Sequence, residues 1–343
     1  MIKDLLQEAF ALKASGHYKH AIEIFYKALE LDNSSSELLL EIADLYDKIG
    51  NKEKALSYIE QILDKDPTHI DALKFLKRVF ERKEAWQEAE QTAKNIYCIS
   101  HNSADLAEIF KILIKQNKFD EIFEFKFNTN DKYVYLELAR AYYYKKDFQK
   151  ALEILTKIQP QMTNNQEFLL LLGQCYYYSN QKERCIEIIG QFKGKNAEQM
   201  NFLGLVETYL ENYKEAVSYF NKAIKQNRLN SEYYYNVANV YFKQGELALA
   251  KRNYNLAISI CPENQNYHFA LANLYYSEKH YKKALEELEG NFFEARFLKA
   301  VILYETGYLA LARKELSELA LEYPNREMVN EYMTRINSEL GLN

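Results

Sequence analysis

Residues 231–264 read SEYYYNVANVYFKQGELALAKRNYNLAISICPEN, and this stretch decides the fold. Tyr234, Val237, Ala238 and Tyr241 recur at three- and four-residue spacing, which marks one apolar helix face. Gly245 follows, at a place where a helix can end in a left-handed residue. A second apolar helix pattern runs through Ala250, Tyr254 and Ala257, and Pro262 stops it. The unit is helix, tight turn, helix. Outward from it, Ala21, Ala55 and Ala89 stand 34 residues apart, and Ala216, Ala250 and Ala284 resume the same spacing.

Counting from the small residue of each first helix divides the chain into ten repeats. They begin near residues 2, 36, 70, 103, 132, 166, 197, 231, 265 and 293. Two antiparallel helices approach closely only where a small residue sits at the crossing. Ala43, Ala139, Gly173, Gly204, Ala238, Ala272 and Ala300 fill that place in the first helix. Three repeats depart from the spacing. Ile122 to Ala151 is 29 residues, Cys185 to Ala216 is 31 and Ala284 to Ala312 is 28, so the second helices there are expected to be short. Gly190, Gly194 and Asn196 mark one of these breaks. Repeat 3 carries Lys77 at the small site and Glu84 in place of the turn glycine; repeat 4 carries Phe110 at the small site. A last amphipathic helix is expected from about Asn325 to Leu340, with Met328, Tyr332, Ile336 and Leu340 as its apolar stripe.

A 34-residue period of helical pairs, with these small, aromatic and proline positions, resembles the tetratricopeptide repeat family over nearly the whole chain. The resemblance implies an all-α, right-handed superhelical solenoid of about ten repeats with a C-terminal capping helix. The expected organisation is a sub-array over 1–127 with repeats 3 and 4 degenerate, a joint at 128–131, a second sub-array over 132–324 and the cap over 325–343. Because no single pair buries its apolar face alone, stability must come from stacking neighbours.

In that family the first helices line the concave groove. The resemblance therefore directs Tyr235, Asn239 and Phe242, one residue off the core stripe, into the groove, together with Phe269, Asn273 and Tyr276 of the next repeat. The triplets Tyr142–Tyr144 and Tyr176–Tyr178 recur 34 residues apart, which adds Tyr143, Tyr144, Tyr177 and Tyr178 as candidates for the groove wall. Each Asn offers a donor and an acceptor to an extended peptide, and tyrosine adds contact area at low entropic cost. The family's clamp for chaperone C-termini needs a Lys four residues before such an Asn; Tyr235 stands there instead.

Composition narrows the classes further. The chain is 48% hydrophobic with only 4 Pro and 10 Gly among 343 residues, which favours helices over sheet and long loops. The formal net charge is −5; residues 1–69 hold 8 basic against 13 acidic side chains and the remainder 36 against 36. That balance speaks against nucleic acid as a partner. It also raises the expectation of a basic partner for Glu37, Glu41, Asp44 and Asp47. Apolar runs such as Leu169–Leu172 are far too short for membrane insertion.

Cys98, Cys175, Cys185 and Cys261 show no paired spacing, and no signal peptide precedes the first repeat, so a reduced cytoplasmic setting is expected. No phosphate loop, nucleophile elbow or zinc motif occurs. His17 and His20 lack a third ligand, and Glu286, Glu287 and Glu289 read as a solvated face. No cofactor, metal or catalytic residue is expected. The expected function is a non-enzymatic scaffold that binds a protein or peptide segment in its groove. The alternatives are a regulatory or substrate-recruiting subunit of an enzyme complex, such as a glycosyltransferase or secretion machinery, and a self-assembling solenoid forming homo-oligomers.

Overall fold

The computed structural model describes residues 2–193, 196–288 and 290–342; Gly194 and Glu289 lie outside them. Among the described residues the regular structure is entirely helical, and the chain forms two compact units. The first, Met1–Cys185, opens with α1 (Ile2–Ala14) and α2 (Tyr18–Leu31), then α3 (Ser36–Lys48) and α4 (Lys52–Lys65). It continues with α5 (Ile70–Arg82) and α6 (Trp86–Ser100), α7 (Ser103–Lys115) and α8 (Phe119–Glu124), α9 (Lys132–Tyr144) and α10 (Phe148–Met162), and α11 (Gln166–Tyr178).

The division between units falls inside α12 (Lys182–Ile189), and the 128–131 link lies within the first unit. The second unit, Ile186–Asn343, holds α13 (Ala197–Tyr209) with α14 (Tyr213–Gln226) and α15 (Ser231–Lys243) with α16 (Leu247–Ile260). Then come α17 (Gln265–Ser277) with α18 (Tyr281–Glu287), α19 (Phe293–Glu305) with α20 (Leu309–Glu322), and α21 (Glu327–Glu339).

The first helices start where the periodicity expects them, and at most of these starts a polar cap punctuates the chain; α19, preceded by Phe292, has none. The side chains of Ser35, Asn102, Asp131, Asn165, Asn230 and Asn264 each accept from a backbone N–H of the helix that follows. Among the described residues, all ten hairpin turns share one geometry. Gly16, Gly50, Gly245 and Gly307 take positive φ, and so do Glu84, Asn117, Lys146, Asn180, Glu211 and Lys279 at the equivalent places. In each turn the next amide donates back to a carbonyl five residues earlier, as His17 does to Leu12 and Asn212 to Glu207. The stack imposes the turn, and glycine only lowers its cost.

The irregular repeats have physical causes. Phe110, fully buried at a crossing that wants a small residue, keeps a full second helix away. α8 stops after six residues, and the chain continues extended, laying Phe125 and Phe127 edge-on against Phe110 at 5.8 and 5.7 Å. α12 and α18 are short, as the spacing indicated, with eight and seven residues. Lys77, also at a crossing, is buried but carries its amine out to Glu81 and Glu108 at 3.1 and 2.9 Å.

The last helix packs on Phe293, Ala300, Leu316 and Leu319 through Val329 and Ile336, with Tyr332 and Met333 beside them. Met328 and Leu340, expected in its apolar stripe, are exposed. An i, i+4 series gains about 40° at each step, so a stripe of four such residues winds off the buried face.

Candidate functional site

In the second unit, α15, α16 and α17 surround a pocket of about 370 Å³. α15 contributes Tyr235, Asn239 and Phe242 at helical spacing, and α17 contributes Phe269, Asn273 and Tyr276 one repeat later. All six were singled out in the sequence, and all six are half-buried. Tyr254 of α16, which the sequence reading assigned only to the core, closes the inner wall. Its phenol donates to Asn239 Oδ1 at 2.7 Å. Asn273 uses its own amide differently: its Nδ2 donates to the Phe269 carbonyl at 3.0 Å. Asn239 is therefore left with its N–H groups to offer, and Asn273 with its carbonyl oxygen.

The aromatic walls brace one another. Tyr235 lies 5.9 Å from Tyr254 and 5.0 Å from Tyr267, and Phe269 meets Phe292 edge-on at 5.3 Å. Tyr276 donates to Glu305 at 2.7 Å. Burial, with Tyr235 beside it, holds the Tyr254 phenol far above its ordinary pKa; burial and the Glu305 carboxylate do the same for Tyr276. Both stay neutral, so no ionised side chain lines the pocket.

The other four candidates lie in the first unit and form an aromatic strip. Tyr144, at the end of α9, stacks on Phe119 at 6.1 Å, and Tyr178, at the end of α11, stacks on Phe148 at 5.2 Å. Tyr143 meets Phe148 and Tyr178 at 5.8 and 6.0 Å, and Tyr177 meets Tyr178 edge-on at 5.1 Å. These rings tie the C-terminal end of each first helix to the start of a neighbouring second helix, with Tyr144 and Tyr178 half exposed.

Several neighbours of these residues were not legible beforehand. Tyr233, Asn236 and Val240 are buried on α15 beside the expected core stripe, because the preceding repeat covers a second side of the helix. Asn236 survives burial by donating to Asn201 Oδ1 at 2.9 Å. Part of the N-terminal acidic excess is already paired, although Glu37 is exposed and has no ion pair among the described residues. Lys13 pairs with Glu41 and Asp44, Lys48 with Asp44, and Arg82 with Asp47.

Burial pushes the thiols of Cys175 and Cys185 up to about 12 and about 11, so neither is a ready nucleophile. Among the described residues no group of three His, Cys, Asp or Glu is placed to hold a metal, and no helix is long and apolar enough to cross a membrane.

The stacked hairpins and their uncharged pocket define an all-α helical-repeat protein. Residues 12–79 match the tetratricopeptide repeat model, residues 238–278 a TPR repeat model, and residues 156–223 the model described as anaphase-promoting complex, cyclosome, subunit 3. The chain belongs to the tetratricopeptide repeat family, and by that class it is a protein–protein interaction scaffold.

Among solved structures it is similar to the APC/C hetero-tetramer Cut9–Hcn1, with 13% identity over 96% of this chain and 74% of that one and a TM-score of 0.62. That likeness is one of fold. It is also similar to PilF of Pseudomonas aeruginosa (17% identity, 64% of this chain and 99% of that one, TM-score 0.49). A third structure, the MamA protein, is 27% identical over 46% of this chain and 92% of that one, with a TM-score of 0.38. No curated protein matches the chain.

Proposed function

We propose that the pocket between α15 and α17 receives an extended segment of a protein partner, and that the chain acts as a non-enzymatic scaffold in the cytoplasm. The observation that carries this reading is the convergence of six side chains from two successive repeats on one cavity without an ionised group. The amide N–H of Asn239 and the amide oxygen of Asn273 together complement a single peptide group, which carries one carbonyl and one N–H. Phe242, Phe269 and Tyr276 supply apolar surface for the side chain beside it.

Affinity purification from the source cell extract tests this with two variants beside the wild type. One changes the pocket (Phe242→Ala with Asn273→Ala); the other changes the strip (Tyr144→Ala with Tyr178→Ala). Both must keep their helical circular dichroism. A partner held by the wild type and the strip variant but lost by the pocket variant supports the reading. Retention of every partner by the pocket variant rejects it.

A further inference from the structure

Where α8 ends, the chain runs extended toward α9 and its backbone is left open. From 125 to 130 no backbone N–H or C=O is hydrogen-bonded among the described residues; the Asp131 N–H then donates to Thr129 Oγ1 at 3.1 Å. Phe125 (φ −67°, ψ 116°) and Asp131 (φ −70°, ψ 118°) both have extended backbone. Burial alternates between them: Phe125, Phe127 and Thr129 are half-buried, while Lys126, Asn128 and Asn130 are exposed. That alternation is the mark of a β-strand with one face on a core. It is a strand without a sheet.

The segment is pinned in this shape. Phe125 meets Tyr97 at 6.3 Å and Phe127 meets Tyr135 at 6.0 Å, in addition to their contacts with Phe110. At the far end Ser103 Oγ donates to Asp131 Oδ2 at 2.5 Å. Its donors and acceptors are therefore held ready at strand spacing, and a pairing chain gives up less ordering entropy there. A cavity of about 350 Å³ lies alongside, between the segment and the link from α6 to α7. Tyr97, Leu106 and Phe127 give it apolar walls, and His101, Asn102 and Thr129 add polar ones. α7 lends it only residues of its first turn, so the cavity stands apart from the groove that first helices line. Lys126 is the segment's only charged side chain, and no carboxylate pairs with it among the described residues.

A helix cannot answer such an edge, because its own backbone groups are spent within it. An extended chain can. We propose that 125–130 is a receiving edge for a β-strand of a partner protein, which adds to it by backbone hydrogen bonds. The occupant places a tyrosine in the cavity, ring on the apolar walls and hydroxyl among the polar groups, and an acidic neighbour of that tyrosine beside Lys126. Adjacent strand residues turn to opposite faces, so one enters the cavity beside Phe127 and Thr129 while the other stays outward with Lys126.

The test uses the full chain and a fluorescein-labelled probe, Ser-Val-Thr-Tyr-Glu-Val-Thr-Ser, in which apolar and polar residues alternate. Fluorescence anisotropy is expected to show saturable binding below about 1 mM, and deuterium exchange read by mass spectrometry is expected to slow over 125–130. Replacing the probe's Tyr by Ala should weaken binding about tenfold. N-methylation of one set of alternate probe amides should abolish binding, and that of the other set should leave it within about threefold, because only one set faces the segment. Lys126→Glu should weaken the probe about threefold, and a Tyr-Lys version of the probe should recover the loss. Lys126 is exposed, so this variant should keep the wild-type circular dichroism. No saturable binding, unchanged exchange over 125–130, equal effects of the two methylation sets, or indifference to the Tyr and Lys126 changes overturns the proposal. A dimer of the chain alone, seen by light scattering, that itself slows exchange there assigns the edge to a second copy and also overturns it. Asn273→Ala, in the aromatic pocket, is expected to leave probe binding unchanged, so the two sites can fail separately; loss of binding in that variant would place the probe in the aromatic pocket instead.

Discussion

The phenol of Tyr254 donates to Asn239 Oδ1 across 2.7 Å and so ties a residue of the core to one at the pocket's mouth. Tyr254 is almost wholly buried at the end of the small-residue crossing, and its ring cannot turn away without opening the hairpin. The orientation of the Asn239 amide, and hence which of its groups faces outward, is set from inside the repeat.

Tyr254→Phe should therefore cost stability by about 1 kcal/mol, the net worth of a typical hydrogen bond. It should weaken partner retention by more than that loss explains, because the amide is freed to turn. Urea denaturation and the purification assay read the two effects separately. Unchanged retention would mean that the orientation of Asn239 does not matter for binding.

A β-carbon added at Gly204 would stand 2.5 Å from the Phe220 ring. Gly204→Ala is expected to destabilise the second unit by about 1–3 kcal/mol through overpacking. Phe220→Leu should recover part of this in the double variant, although it is itself a cavity-forming change. Simple additivity in chemical denaturation would show that the ring is not what opposes the methyl group.

Six hairpin turns hold a non-glycine residue at positive φ, among them Lys146 at 63° and Glu211 at 64°. Left-handed backbone costs an L-residue about 1 kcal/mol or more. Lys146→Gly and Glu211→Gly should each stabilise the chain, by about 0.5–1 kcal/mol once the extra entropy of unfolded glycine is counted. Gly245→Ala should lose about 1 kcal/mol. Thermal or urea midpoints moving in one direction for all three would contradict this account.

Glu90 on α6 accepts from Lys118 at 2.7 Å, Gln116 at 2.8 Å and Lys94 at 2.5 Å. Burial alone would raise its carboxyl; Lys118, Lys94 and Gln116 outweigh that and bring it down to about 2, from an ordinary 4.5. A carboxyl lowered by folding stabilises the native state above pH 4.5, and that contribution disappears as pH falls toward 2. With solvent screening allowed for, it amounts to about 1–2 kcal/mol. Glu90→Gln should flatten the stability profile between these pH values; an acid limb as steep as the wild type's would assign the dependence elsewhere.

Helix starts, turn positions, the shortened α8, α12 and α18 and the small residues at crossings were legible in the sequence, because each depends on neighbours within one hairpin. The terminal stripe was misread for a local reason as well: Met328 and Leu340 fit an i, i+4 count but wind off the face that Val329 and Ile336 bury. The second buried face of α15 was missed because it packs on another repeat; one helix's periodicity carries no record of how many neighbours cover it.

The sequence by itself determined the repeat, its number and the six side chains of the aromatic pocket, since a 34-residue period and a helical stripe are properties of residue order. Only the tertiary structure decided which charges remain unmatched and which half of each Asn is spent. It also decided that Tyr143, Tyr144, Tyr177 and Tyr178 brace one another with Phe119 and Phe148. Those outcomes rest on contacts between side chains in different helices, many of them about one repeat apart in the chain. Hydrogen bonds and ion pairs fall off within a few ångströms, so only the folded distances reveal them.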